Sequence, residues 1–474
     1  MFFYMLSSQM KFSNSLTYFG GCCMQKLFLR LGLLITIIGV LCVAPLAQAQ
    51  EESVQIDFYW ASAVEGNLPA IFQGYADQFM AENPGVTVNV VYTGSYTQTR
   101  DTILAEGVDP IVDVSIMLAT DLSSFISDSY IIPLTPFIEA MGDDGVAYIE
   151  DFFPAFLANG VDAYDTVWSI PFQRSTPILF YNADLLAEAG LEVPTNNEEL
   201  IAVAQALTTP DRYGFLLPVA GTFPIWIYQS FAAAYGKPVV DNDLANVYFN
   251  TPETLAAVDF MTRVGLPVEE GGFGVGPRGG SAWGETPTAF VSGQAAMIYH
   301  TTGSLTSILD NVANSENPFE VGVAFLPSGP AGEDGTGYGA PTGGGNLYIF
   351  DSETTPKTEA ELDAAWRWVM FLSSPEVQSD WGAQTGYIAS RYSAWEFDPL
   401  LSLAEEFPQY GVARDQLEFA VKEFDAFRSV DIQNIINLQL SRIISGEVSL
   451  EDAEAALIEG QAQIDALLEP FKGD

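Results

Sequence analysis

The chain has 474 residues, more than a single compact core holds and suited to two or three cores. Hydrophobic residues make up 48% and aromatic residues 13%, so the chain folds, because disorder requires far less apolar material. Charge is lopsided, with 17 Lys+Arg against 61 Asp+Glu; such a surface repels phosphate backbones and anionic membranes and excludes nucleic acid as a partner. It suits a solvated, monomeric protein, or one from a salty medium in which self-repulsion is screened.

Lys26 and Arg30 precede an apolar run from Leu31 to Val43, followed by Pro45 and Ala47-Gln48-Ala49. A basic start, a short apolar segment and a small-x-small site read as a secretory signal over residues 1–49, with Met24 as an alternative start. The apolar run is too short to cross a bilayer comfortably. Cys22, Cys23 and Cys42 all fall within this segment, so the exported chain is expected to have no disulfide, thiol chemistry or Cys–zinc site. Val40-Leu41 lack the small residue that a lipid-attachment site wants before Cys42. Residues 1–49 carry three basic and no acidic residues; 17 minus 3 leaves 14 basic against 61 acidic, a net charge of −47.

Val54, Ile56 and Phe58 alternate as a strand does, and Leu68, Ile71, Phe72, Tyr75 and Phe79 recur at helical spacing up to the Asn83-Pro84-Gly85 stop. A β-branched run, 86–92, follows. Strand, helix, strand in this span predicts a parallel pair with a right-handed crossover. A third strand is predicted over 111–117. Further on, a helix is expected over 198–207, another after the Thr251-Pro252 cap, a buried strand over 295–299, an amphipathic helix over 358–372, and a last helix to about 468 after a capping box at Ser449 and Asp452. Gly/Pro-rich loops are expected at 271–281 and 328–345. The class is α/β, in which ligands sit at strand ends or between domains.

The only histidine is His300, expected to be a packed core residue. There is no HExxH, P-loop or CxxC, and the Gly272 and Gly343-Gly344-Gly345 clusters lack nucleotide-site spacing. Carboxylates are abundant enough to allow a secreted glycoside hydrolase with a carboxylate pair, though no pair stands out. Trp60, Tyr96, Phe172, Phe223, Trp226, Tyr228 and Tyr387 fall near predicted loops or strand ends. Aromatic faces there would suit the C–H face of a sugar.

Several segments in order carry a resemblance: Phe79–Gly85, Tyr92-Thr93-Gly94-Ser95-Tyr96, Ile170–Pro177 running into Tyr181–Leu185, Met297–Ser304, Gly343-Gly344-Gly345 and Thr385-Gly386-Tyr387. In these the chain resembles the type 1 extracellular solute-binding proteins of ABC importers, in particular the glycerol-3-phosphate- and sugar-binding branch. The resemblance implies a two-lobed periplasmic-binding-protein-like fold of type II, with a ligand cleft between lobes joined by a multi-segment hinge. Lobe 1 would be 50–173 plus 347–387 and lobe 2 would be 178–341 plus 392–474. It also implies no enzymatic activity, no cofactor or metal, a sugar or polyol ligand, permease partners in the membrane, and a place outside the cytoplasmic membrane. The family's ligand positions map onto Tyr96, Ser175, Thr301, Gly344, Tyr387 and Trp226, with Trp60 and Arg174 as further candidates. Two positions depart: Met117 stands where the branch has a glutamate, with Asp121 near by, and Gln433 stands where it has a phosphate-binding arginine. Gln cannot replace the two-pronged, charge-assisted contact of Arg with phosphate. A neutral saccharide is therefore expected over glycerol-3-phosphate, unless Arg174 or Arg391 compensates. A ligand-sensing role is an alternative to transport.

Overall fold

The alternation and helical periodicity described above resolve, in a computed structural model, into two sheets. The structure describes residues 53–64, 66–107, 110–220, 224–240, 244–352 and 354–472. The expected signal segment, residues 1–49 with the three cysteines, and Phe223 lie outside the described residues.

The first sheet begins with β1 (Val54–Trp60), α1 (Leu68–Glu82), β2 (Val86–Tyr92), α2 (Tyr96–Glu106) and β3 (Val114–Leu118). β1 pairs in parallel with β2 on one side and β3 on the other. Ile111 is exposed, and β3 starts three residues later than the pattern suggests, after Asp113, whose carboxylate is buried and ion-paired with Lys357 at 2.5 Å. β4 (Ile170–Ser175) closes the far edge, and β9 (Gly343–Ile349) lies antiparallel between β3 and β4, giving the order β2-β1-β3-β9-β4. Gly343-Gly344-Gly345 is therefore strand, not loop. Gly344 has φ +88°, and a Cβ there would lie 2.0 Å from the Gln173 carbonyl, so only glycine lets β9 approach β4 this closely.

The strand period of two sorts side chains onto two faces. Ile56, Phe58, Ile116 and Phe172 join one core with α1; Tyr59, Met117 and Tyr348 join another. Two later helices return to the first core. α6 (Glu359–Leu372), opened by a Thr358–Glu361 capping box, sets Trp368 edge-on to Phe58 at 5.4 Å. α7 (Pro375–Thr385) sets Trp381 against Phe172 at 5.2 Å.

The second sheet has the order β6-β5-β7, all antiparallel, from β5 (Pro177–Asn182), β6 (Met297–Thr301) and β7 (Val321–Ala324). β6 begins two residues after the predicted start. Its flanking helices include α3 (Pro224–Ala234), α4 (Pro252–Gly265), α5 (Leu305–Ala313), α8 (Ser429–Ile444) and α9 (Ala453–Leu468). Thr251 caps α4 as its sequence predicts, accepting from the Thr254 amide. Leu179, Met297 and Tyr299 face one core and Ile178, Phe180 and Ile298 the other. A short parallel pair, β8 (Ala340–Pro341) with β10 (Ala420–Val421), completes the described strands. The molecule is thus α/β with two sheet-centred lobes. Among the described residues no helix is long and apolar enough to cross a membrane.

Candidate ligand-binding cleft

β4 and β5 belong to different sheets, yet a single residue, Thr176, separates them. Its hydroxyl donates to the Pro341 carbonyl at 3.1 Å and accepts from Gln416 at 3.0 Å. Beside it the Ile388 amide donates to the Arg174 carbonyl at 2.9 Å. Three passages of chain therefore lie side by side where the sheets meet, and the polar side chains at the ends of β4, β6 and α7 converge there.

At the centre is Gln173, fully buried, which the sequence reading passed over although it lies inside one of the segments that carry the resemblance. Its Nε2 lies within donating distance of the Tyr96 hydroxyl (2.5 Å), the Ala61 carbonyl (3.1 Å) and the Tyr387 hydroxyl (3.3 Å). Tyr96 starts α2, where Ser95 and Gln98 form a capping box, so the helix start fixes the ring's position. Burial raises both phenols, Tyr387 to about 12, so both stay neutral. Tyr387 stacks on Trp381 at 5.5 Å, and its other neighbour is Gly303 of the second lobe, where a Cβ would lie 2.7 Å from the ring. The two lobes touch here.

Ser175 and Thr301 are buried at the ends of β4 and β6. The Thr301 hydroxyl accepts from the Gly303 amide at 3.2 Å and so caps the Thr302–Ser304 turn. Trp226, half-buried on α3, donates its indole N–H to the Thr342 carbonyl at 2.9 Å and meets Trp283 edge-on at 5.5 Å. Trp283 lies against His300 at 4.2 Å, and both line a cavity of about 560 Å³. Ala63 and Val64, just past β1, form its wall on the first lobe; Ser304 and Asn311 continue the opposite wall. Sequence reading missed Trp283 and took His300 for core. His300 is buried as expected, but it also borders the cavity. Its Nε2 lies 3.2 Å from the Trp283 carbonyl, which can only accept, so Nε2 carries the proton; burial lowers the ring to about 4 and keeps it neutral.

Tyr96, Ser175, Thr301, Gly344, Tyr387 and Trp226 lie near the junction of the two sheets, but none of them is among the described residues that line the cavity. Trp60 is not at the junction: it packs in the first lobe's core against Phe72 (4.8 Å) and Tyr92 (4.4 Å). Phe172 and Tyr228 are likewise core residues. Gln433, half-buried on α8, donates to Ser429 at 3.0 Å. Arg174 is fully buried and committed to the protein, donating to the Gly344 carbonyl at 3.1 Å, lying over Phe156 and standing 3.6 Å from Glu423. Arg391 is paired with Asp151 at 2.7 Å. Neither arginine replaces the cation missing at Gln433. No Lys or Arg is among the described residues that line the cavity, and Glu316 is its one carboxylate.

Two α/β lobes closing on a polar seam define the fold of periplasmic binding proteins, and solved members of that class share it. The fold matches that of UgpB from Mycobacterium tuberculosis in complex with glycerophosphocholine, with a TM-score of 0.72 and 22% identity over 88% of this chain and 99% of that one. It also matches maltose-bound MalE3 of T. maritima, with a TM-score of 0.71 and 20% identity over 87% and 100%. The family model of bacterial extracellular solute-binding proteins matches residues 63–379, and the chain belongs to that family. Among its relatives is the sn-glycerol-3-phosphate-binding periplasmic protein UgpB of Pectobacterium atrosepticum, 25% identical over 394 residues, which are 79% of this chain and 82% of the relative.

Proposed function

We propose that this chain captures a neutral saccharide or polyol in the cleft and hands it to the membrane permease of an ABC importer. The cavity between the lobes carries the reading. Its volume is that of a small-molecule site, its walls combine an indole, an imidazole and apolar side chains such as Pro287, Val291 and Ile308 with hydroxyl and amide side chains, and its described lining offers no cation to a phosphate. UgpB relatives bind glycerol-3-phosphate and the MalE3 neighbour binds maltose; the lining favours the second kind of ligand. The chain works outside the cytoplasmic membrane, as a monomer, and without chemistry. A hydrolase would need two facing carboxyls, and the described lining has only Glu316. The hinge consists of Arg174–Pro177, Pro341–Gly343 and Tyr387–Ile388, with lobe 1 over 50–173 plus 347–387 and lobe 2 over 178–341 plus 392–474.

A thermal-shift panel of maltose, glucose, ribitol, glycerol-3-phosphate and glycerophosphocholine tests this, because a ligand that binds only the folded protein raises its melting point. A rise with a neutral sugar or polyol is expected. A rise with glycerol-3-phosphate alone would overturn the neutral assignment.

A further inference from the structure

Three buried carboxylates meet at the seam, and they come from both lobes. Asp121 stands on the turn after β3 in the first lobe. Glu423 and Asp425 stand between β10 and α8, on a segment whose Phe424 and Ala426 are packed in the second lobe's core. All three are at least 95% buried. Both carboxylate oxygens of Asp121, both of Asp425 and Oε2 of Glu423 accept no hydrogen bond of normal geometry. The backbone around them is well anchored: Asn159 of the first lobe donates to the Glu423 carbonyl at 3.0 Å and accepts from its amide at 3.2 Å. The three are not grouped as metal ligands are.

We infer that closing the cleft takes up protons at Asp121, Glu423 and Asp425, so that acidic medium favours the closed form and alkaline medium the open one. In an open cleft these carboxylates face water and ionise at ordinary carboxylate values; closing removes the water and brings like charges together. Arg100 of α2 is 3.6 Å from Asp121, with Asp101 behind it opposing its effect. Arg174 of β4 is 3.6 Å from Glu423. Lys422 and Ser123 favour ionised Asp425, while Asp121 disfavours it; the Tyr348 phenol of β9 lies within reach of both aspartates and stays neutral. Two guanidiniums and a half-exposed lysine do not offset the loss of solvent. Burial is the largest influence on each carboxyl and raises Asp121 and Asp425 to about 6 and Glu423 to about 8.

The sign follows from linkage. A group whose value is raised in the closed form favours closure fully below its ordinary value, near 4, and loses that contribution as pH rises through the raised one. Closure therefore weakens from about pH 4 to about pH 8 and changes no further above that. The inference rests on the two-lobed fold and not on which ligand binds.

Small-angle X-ray scattering of the ligand-free protein tests it at about pH 5 and about pH 8.5, in about 0.5 M NaCl to screen surface repulsion. The radius of gyration is expected to be smaller at the lower pH, and the difference to shrink in Glu423→Gln/Asp425→Asn, in which only Asp121 of the three still titrates. Circular dichroism at each pH checks that the variant is folded; should the double variant not fold, Glu423→Gln alone is expected to remove the alkaline part of the transition. Identical wild-type scattering at the two pH values, or a wild-type response retained in the folded variants, would overturn the inference.

Discussion

The indole of Trp283 lies against the imidazole of His300 with 4.2 Å between ring centres and a 31° tilt, and the pair forms one wall of the cavity between the lobes. A flat, rigid aromatic wall gives apolar contact area at little cost in side-chain entropy. Trp283→Ala is expected to weaken binding of the preferred panel sugar by about 1–3 kcal/mol, a loss of roughly 5- to 150-fold, while the far-UV spectrum stays unchanged. Calorimetry on the variant checks this, and unchanged affinity would place the ligand elsewhere.

Gln173 joins Tyr96 at the start of α2 to Tyr387, two residues past the end of α7, through a single amide nitrogen. Removing that amide leaves two buried phenols without their shared donor, at a cost of about 1–3 kcal/mol. Gln173→Ala should therefore lower both the melting temperature and ligand affinity. Tyr387→Phe, which keeps the stack on Trp381, should cost less stability than Tyr387→Ala. Equal losses in the two Tyr387 variants would show that the hydroxyl, not the ring, holds the seam.

Much of the first sheet is visible in the bare sequence because its strands alternate and its helix has an unbroken apolar stripe: Ile56 and Phe58 point into one core, as do Ile71, Phe72 and Phe79 of α1. The seam residues are legible only through the resemblance, since a Tyr at a helix start or a Ser at a strand end has no distinctive spacing. Glycine misleads in the other direction. Gly343-Gly344-Gly345 reads as a loop, yet the cluster is strand because the neighbouring β4 backbone leaves no room for a Cβ at Gly344. Trp60 fails for a related reason: it sits at a strand end, as a ligand residue would, but on the face that packs against α1. The Trp283–His300 wall had no local signal, because its two members are 17 residues apart on a loop and a strand and meet only once β6 is placed.

Gly303 sits against the Tyr387 ring, and a Cβ there would lie 2.7 Å from a ring carbon. Tyr387 stands at a passage between the lobes and Gly303 belongs to the second lobe, so a methyl group at this point would act as a spacer that opposes closure. Gly303→Ala is expected to fold with near-normal stability but to bind ligand at least tenfold more weakly, because closure and binding are one linked equilibrium. Scattering with saturating sugar should show the variant more extended than the wild type. A variant that closes and binds normally would mean that the Tyr387 ring moves aside at little cost.

His300 is the chain's only histidine, which makes its ring directly observable by NMR in protein prepared without a histidine tag. Burial lowers it to about 4 from an ordinary value near 6.5, and the bond to the Trp283 carbonyl opposes that shift without cancelling it. A lowered value in the folded protein means that the unfolded chain takes up the proton first. The stabilising contribution is therefore complete above about pH 6.5 and is lost as pH falls through about 4. Between pH 5 and 8 the ring resonances should not move, and long-range nitrogen–proton correlations should show the proton on Nε2. Below about pH 5 the melting temperature of the wild type should fall faster than that of His300→Gln. Titration of the ring near its ordinary value, or a proton on Nδ1, would remove the bond to Trp283 and with it the reason for the orientation of the cavity wall.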